Sequence, residues 1–180
     1  MIKKIFLILF PLFAVFSLTG CNSTGRVHDK NYLRALSVRS EGGESTVTFS
    51  FFSNDVMTVK GESIDDIQEK AELACGREIF MGYTQLVVLD GCECSKLLEL
   101  LLNDKKVSPD CIIAYSNTGS LLDKCSAETL YSSVKTAVKH GKSPECDIVT
   151  VLSGLCSNRK RAEIAEISVN GFSGTHSISE

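Results

Sequence analysis

The chain lacks the motifs that mark several large functional classes. It has no tryptophan and only three histidines, His28, His140 and His176, whose spacing places them on no shared face. It also has no Gly-x-x-x-x-Gly-Lys phosphate loop, no Gly-x-Ser-x-Gly nucleophile turn and no repeat at the period of a solenoid. The sequence therefore offers no catalytic, metal-binding or cofactor-binding residue set, and we predict that the protein is not an enzyme.

The charge balance gives no sign of a nucleic-acid partner. The whole chain has 19 basic and 22 acidic residues, and the first twenty residues hold two of the lysines and no acid. Removing that segment leaves 17 basic and 22 acidic residues, a net charge of −5. Proteins that bind nucleic acid or anionic lipid through charge usually carry a basic patch, so neither partner is indicated.

Residues 1–20 predict a bacterial lipoprotein signal peptide. Lys3 and Lys4 supply the positive start, and residues 5–18 form an apolar run that is short for a membrane span. Residues 18–21 read LTGC, a small-residue cleavage site directly before Cys21. We expect Cys21 to carry a thioether-linked diacylglycerol, whose two acyl chains anchor stably where one does not. An uncleaved anchor and an ordinary secretory signal are the alternative interpretations.

The remaining seven cysteines are an odd number for a disulfide framework. Export favours disulfides, yet most of these residues stand where a small apolar side chain would serve, so we expect free core thiols. Cys92 and Cys94 form the one close pair. Because no second cysteine pair and no suitably spaced histidine accompany them, they are only a weak indication of a zinc site or of a catalytic thiol.

The hydrophobic pattern predicts a single α/β domain with a mixed sheet, a βαβ unit and several packed helices. Ser63 is expected to cap the first helix, which Gly76 ends, and Ser126 to cap a later one. A further helix is expected to start at 143–145, because proline suits the first helical position. The predicted strands are 32–38, 46–52, 56–60, 86–89, 111–115 and 162–169, with a βαβ unit over 86–115 and a polar tail without a regular element over 173–180.

Several segments in this order resemble the N-terminal domain of the Ger(x)C family, the lipoprotein C subunits of spore germinant receptors. The most specific is GREIFMGYTQLVVL at 76–89, although Tyr83 stands where a histidine is common. The other matching segments are 18–21, 32–38, 46–52, 61–64 and 107–115. The match is close over 18–140 and loose over 141–172. Family members carry two further domains, so the resemblance covers their first domain only.

The resemblance implies a domain organisation and a function. It implies a signal peptide at 1–20, a lipidated tether at 21–30, a Ger(x)C N-terminal-like domain at 31–172 and a polar tail at 173–180. It further implies a non-enzymatic protein on the outer face of the cytoplasmic (inner spore) membrane, held by its Cys21 lipid. Its partners would be integral-membrane germinant receptor subunits, and its role would be in nutrient-triggered germination. The alternative is a free-standing surface lipoprotein with thiol-based redox or small-ligand activity at Cys92 and Cys94.

Overall fold

A computed structural model describes residues 29–90 and 95–179 of the chain. Within these ranges eight strands and five helices build a mixed sheet with helices packed on it, which confirms the predicted α/β class. The signal peptide, Cys21, most of the tether, and the pair Cys92 and Cys94 lie outside the described residues.

Three strands form the first part of the sheet. Strand β1 (Lys30–Glu41) pairs antiparallel with β2 (Glu44–Phe51), and β2 pairs antiparallel with β3 (Val56–Gly61). Gly42 and Gly43 make the hairpin turn between β1 and β2 with positive φ values of 62° and 90°, which glycine adopts without a steric penalty. Because β1 starts at Lys30, the last residue of the predicted tether belongs to the sheet.

Helix α1 (Ile64–Cys75) begins and ends where the sequence predicts. The Ser63 hydroxyl accepts a hydrogen bond from the amide of Asp66 at 3.2 Å, and Gly76 ends the helix in the left-handed conformation with φ 68°. The helix leads into β4 (Glu78–Phe80), which pairs parallel with the first three residues of β1.

The centre of the sheet is the predicted βαβ unit. Strand β5 (Leu86–Asp90), helix α2 (Ser95–Asn103) and strand β6 (Ile112–Ser116) follow in order, and β5 lies parallel to both β1 and β6. All five residues of β5 are buried, so both faces of the sheet are covered there, as the continuous apolar run predicts.

Three helices separate β6 from the next strand: α3 (Leu121–Lys124), α4 (Ala127–Lys139) and α5 (Ile148–Leu155). The prediction that a helix starts at 143–145 is wrong. Residues 146–148 instead pair with the start of β6, since the amide of Ile113 donates to the Cys146 carbonyl at 2.7 Å and the amide of Ile148 donates to the Cys111 carbonyl at 2.9 Å.

Asp147 caps α5. Its carboxylate accepts hydrogen bonds from the amide and the hydroxyl of Thr150 at 2.9 and 2.6 Å. Burial acts to raise the pKa of Asp147, but these hydrogen bonds outweigh it and leave the pKa below its ordinary value.

The prediction of a structureless polar tail is also wrong. Strand β7 (Arg161–Ser168) lies parallel to β6, and Gly171–Ser179 forms β8, antiparallel to β7 at the edge of the sheet. The tail is polar because only one face of this edge strand is covered. Phe172, His176 and Ile178 face inward, and the residues between them, Ser173, Thr175 and Ser177, are exposed.

Strands β1, β5, β6 and β7 run in one direction, so their amino ends lie along one side of the sheet and their carboxyl ends along the opposite side. We call the side where they begin the amino edge and the side where they end the carboxyl edge. The described chain enters at the amino edge, at the start of β1. Asp90 ends β5 at the carboxyl edge, so Cys92 and Cys94 follow that edge in sequence.

Candidate functional site

A polar cleft of about 270 Å³ lies at the carboxyl edge, beside the ends of β1 and β5. Open α/β sheets commonly bind ligands outside the carboxyl ends of their strands, so we take this cleft as the first candidate site. Its lining is almost wholly polar, and consists of Ser37, Arg39, Glu41, Thr46, Thr48, Thr58, Lys60, Asp90 and Ser120.

The sheet register explains the hydroxyl groups in the cleft. Ser37 of β1 lies opposite Thr48 of β2, and Thr48 lies opposite Thr58 of β3, so the three side chains form a row across the strands. The hydroxyls of Thr48 and Thr58 are 2.9 Å apart and hydrogen-bonded. The alternation in β2 predicts one buried face, but Thr48 is buried as well, at 4% exposure. The row can offer hydrogen bonds to a polar ligand.

The ion pair between Arg39 and Asp90 closes one side of the cleft. Arg39 Nη2 lies 3.0 and 3.1 Å from the two carboxylate oxygens of Asp90, whose side chain is only 5% exposed. The hydrogen bond to Asp90 raises the pKa of the Arg39 guanidinium, and this effect exceeds the opposing effect of burial. Gly119 lies against the same guanidinium: a Cβ there would fall 2.5 Å from Nη2.

This arrangement can hold a polar ligand by hydrogen bonds. Arg39 and Asp90 neutralise each other's charge. In the described part of the chain, the hydroxyls of Thr48 and Thr58 are hydrogen-bonded to each other and not to a base that could activate them. Sequence reasoning missed the pair. An acid ending a buried apolar strand, as Asp90 does at the end of 86–90, is the signal that points to it, because a buried carboxylate needs a partner.

A second cleft, of about 500 Å³, opens beside the start of α4. Arg34 of β1 crosses it, donating to the Glu128 carboxylate at 2.8 Å while its guanidinium carbon lies 4.6 Å from the centre of the Phe52 ring. The Nε atom of Arg34 is buried without a hydrogen-bond partner. Because Glu128 already pairs with Arg34, this guanidinium is not free to bind an anionic ligand.

The described cysteines are all unpaired, in agreement with the predicted free thiols. Cys111 and Cys146 are buried, Cys75 and Cys125 are half-buried, and Cys156 is exposed, so the expectation of core thiols is wrong for Cys156. Burial raises the pKa of the Cys111 and Cys146 thiols, which keeps both protonated and unreactive.

The two histidines that the structure describes, His140 and His176, make structural contacts. His140 follows the last turn of α4, with its amide bonded to carbonyls of that turn, and His176 stacks on Tyr115 with ring centres 3.6 Å apart. His28 lies outside the described residues. Within residues 29–90 and 95–179, no group of three or more His, Cys, Asp and Glu side chains is placed to hold a metal ion.

Comparison with known proteins adds no relative: no family model, no curated protein and no solved structure matches the chain. The resemblance to the Ger(x)C family therefore depends on the sequence segments alone. None of the helices in the described ranges has the length and apolar character needed to cross a membrane.

Proposed function

We propose that this chain is a non-enzymatic lipoprotein, anchored through Cys21 and acting by contact with integral-membrane subunits of a germinant receptor. The observation that carries the proposal is the order of the chain. An LTGC cleavage site ends at Cys21, and the first strand of a folded α/β domain begins nine residues later at Lys30. Such an order suits a domain held close to the outer face of the cytoplasmic membrane.

The acidic groups that could support catalysis have structural partners, which supports a non-enzymatic role. Asp90 pairs with Arg39, Asp66 with Lys70 at 2.7 Å, and Asp147 caps α5. An enzyme usually needs a titratable group free to face its substrate, with a pKa shifted toward the working pH. The hydrogen bond from Lys70 lowers the pKa of Asp66 and, against the effect of burial, the hydrogen bonds from Thr150 lower that of Asp147, so these two carboxylates are held in their charged form.

The lipid anchor is tested by a pair of cysteine variants. Cys21→Ala should stop lipid attachment and move the protein from the detergent phase to the aqueous phase in a phase-partitioning assay. Cys156→Ala is the matched control, because Cys156 is an exposed cysteine that lies far along the chain in the folded domain. Partitioning that Cys21→Ala leaves unchanged, once the signal has been removed, would contradict the anchor.

The partner is tested by crosslinking in sporulating cells. The wild-type protein should recover integral-membrane germinant receptor subunits, and the Cys21→Ala variant should recover far less of them. Deletion of the gene should delay nutrient-triggered germination. Recovery of only cell-wall or redox proteins would contradict the proposal, as would a source organism that makes no spores.

One observation favours a second candidate function, a thiol-based or small-ligand activity. Cys92 and Cys94 directly follow the carboxyl end of β5, the edge where α/β sheets commonly bind ligands. Replacing both by serine should abolish such an activity without changing membrane attachment. A germination phenotype unaffected by this double replacement would favour the receptor role.

A further inference from the structure

Three aromatic side chains form a cluster at the amino edge of the sheet. Tyr32 of β1 stacks on Tyr83 with ring centres 5.8 Å apart, and the Phe80 ring packs edge-on against both, at 5.6 Å from Tyr32 and 5.3 Å from Tyr83. We call these residues the aromatic cluster. Tyr83 is 61% exposed, so the cluster reaches solvent rather than the core.

Exposed apolar side chains also lie on neighbouring segments of the chain. Six large hydrophobic residues of the described chain are exposed, and four of them lie on segments that meet the start of β1. Tyr83 belongs to the cluster, and Phe52 begins the turn after β2, its amide bonded to the Tyr32 carbonyl at 3.0 Å. Val56 starts β3 after the same turn, and Leu73, at 77% exposure, is in the last turn of α1, which leads into β4.

Two basic residues near the cluster have acidic partners. Lys30 lies 5.5 Å from the centre of the Phe80 ring and pairs with Glu78 at 3.0 Å, and Arg34 pairs with Glu128. Exposed pairs of this kind contribute little to attraction at a distance. These two basic residues are therefore not free to attract an anionic surface, and the aromatic and apolar groups are the main contact groups that the cluster offers.

The length of the tether decides which edge of the domain lies near the membrane. Eight residue steps separate Cys21 from Asp29, and a fully extended chain of that length spans at most about 26–29 Å. Strand β1 has 12 residues, so its two ends are about 36 Å apart. The tether is shorter than the strand, so the domain cannot stand upright with its carboxyl edge on the membrane. The start of β1, with the aromatic cluster beside it, therefore stays within about 26–29 Å of the lipid anchor.

We propose that the aromatic cluster, with Phe52 and Leu73, is a membrane-contact surface that seats the amino edge of the sheet in the lipid headgroup region. The proposal depends on the lipid anchor at Cys21 proposed above. Tyrosine suits this region because its ring is apolar while its hydroxyl stays hydrated. The carboxyl-edge cleft then faces away from the membrane, where a partner or ligand can reach it.

Tryptophan fluorescence can test the orientation directly, because the chain contains no tryptophan of its own. The full lipidated protein is reconstituted into phosphatidylcholine vesicles whose acyl chains carry bromine near the headgroup. The Tyr83→Trp variant reports on the amino edge. Val169→Trp is the matched control, since Val169 is 49% exposed and follows β7 at the carboxyl edge. Leu73→Trp gives a second, independent probe of the proposed surface.

We expect brominated lipid to reduce the emission of Tyr83→Trp and Leu73→Trp about twofold or more, and to leave Val169→Trp nearly unchanged. High salt should not restore the emission. Equal quenching at both edges, or none at the amino edge, would overturn the proposal. Absence of quenching together with crosslinks from the cluster to a membrane protein would overturn it in favour of a protein contact.

Vesicle flotation separates this proposal from the anchor. If the wild-type protein floats with the vesicles and Cys21→Ala does not, the anchor holds, and the quenching result then decides the contact surface alone. A wild-type protein that fails to float would contradict the anchor, and would remove the basis of the contact surface with it.

Discussion

The serines at two helix starts allow a matched test of the structure. Ser63 and Ser126 are both exposed N-cap residues, before α1 and α4. The Ser63 hydroxyl accepts a hydrogen bond from the Asp66 amide at 3.2 Å, whereas the Ser126 hydroxyl makes no capping hydrogen bond. The same substitution at the two positions should therefore have different effects on stability.

Ser63→Ala removes the cap of α1 and should lower the free energy of unfolding by about 1 kcal/mol. In a domain of about 150 residues this corresponds to a fall in Tm of about 2–4 °C. Ser126→Ala should change the Tm by much less, since no amide loses its partner. Thermal unfolding followed by circular dichroism measures both. Equal losses for the two variants, or a larger loss for Ser126→Ala, would refute the assignment of the caps.

Three further predictions concern pH, thiol access and backbone strain. Because the pKa of Asp147 is lowered in the folded protein, its charge stabilises the fold above pH about 4. In urea unfolding, the wild-type protein should therefore be more stable than Asp147→Asn above that pH, and this difference in the free energy of unfolding should disappear as the pH falls below it. An alkylating reagent should label Cys156 in the native protein and Cys111 only after unfolding, and a mass that shows disulfides between the described thiols would contradict this. Gly119→Ala should destabilise by about 1–2 kcal/mol, because φ there is +63°, whereas Gly174→Ala, at an open strand position, should be nearly neutral in the same urea assay.

The elements with strong local signals could be predicted from the sequence. The buried run 86–89, the glycine-rich turn at 41–44 and the helix between Ser63 and Gly76 all appear where the pattern places them. In each case local backbone preference and burial favour the same structure, so the tertiary fold does not override the local signal.

The errors arise where tertiary pairing decides. Pro144 suits a helix start, but the segment around Cys146 pairs with the start of β6, so the helix begins only after Asp147. The sequence did not predict strand β8, because exposed serines such as Ser173 and Ser177 alternate along it with half-buried residues. Only one face of this edge strand is covered, so only every second residue needs to be apolar. These pairings join residues far apart in the chain, which local patterns cannot report.

The candidate site shows the same division. The proposed lipidation of Cys21 could be predicted from the sequence, because the LTGC motif at 18–21 is local and continuous. The pairing of Arg39 with Asp90, and the stacking of Tyr32 on Tyr83, join residues 51 positions apart, and depend on the parallel pairing of β1 with β5.

The most direct test of the account is the mass of the N-terminal peptide of the protein extracted from membranes. We expect a peptide that begins at Cys21, lacks residues 1–20 and carries a diacylglyceryl group on the Cys21 sulfur. A peptide that begins at Met1, or one cleaved elsewhere with an unmodified Cys21, would contradict the lipoprotein assignment and the membrane orientation that depends on it.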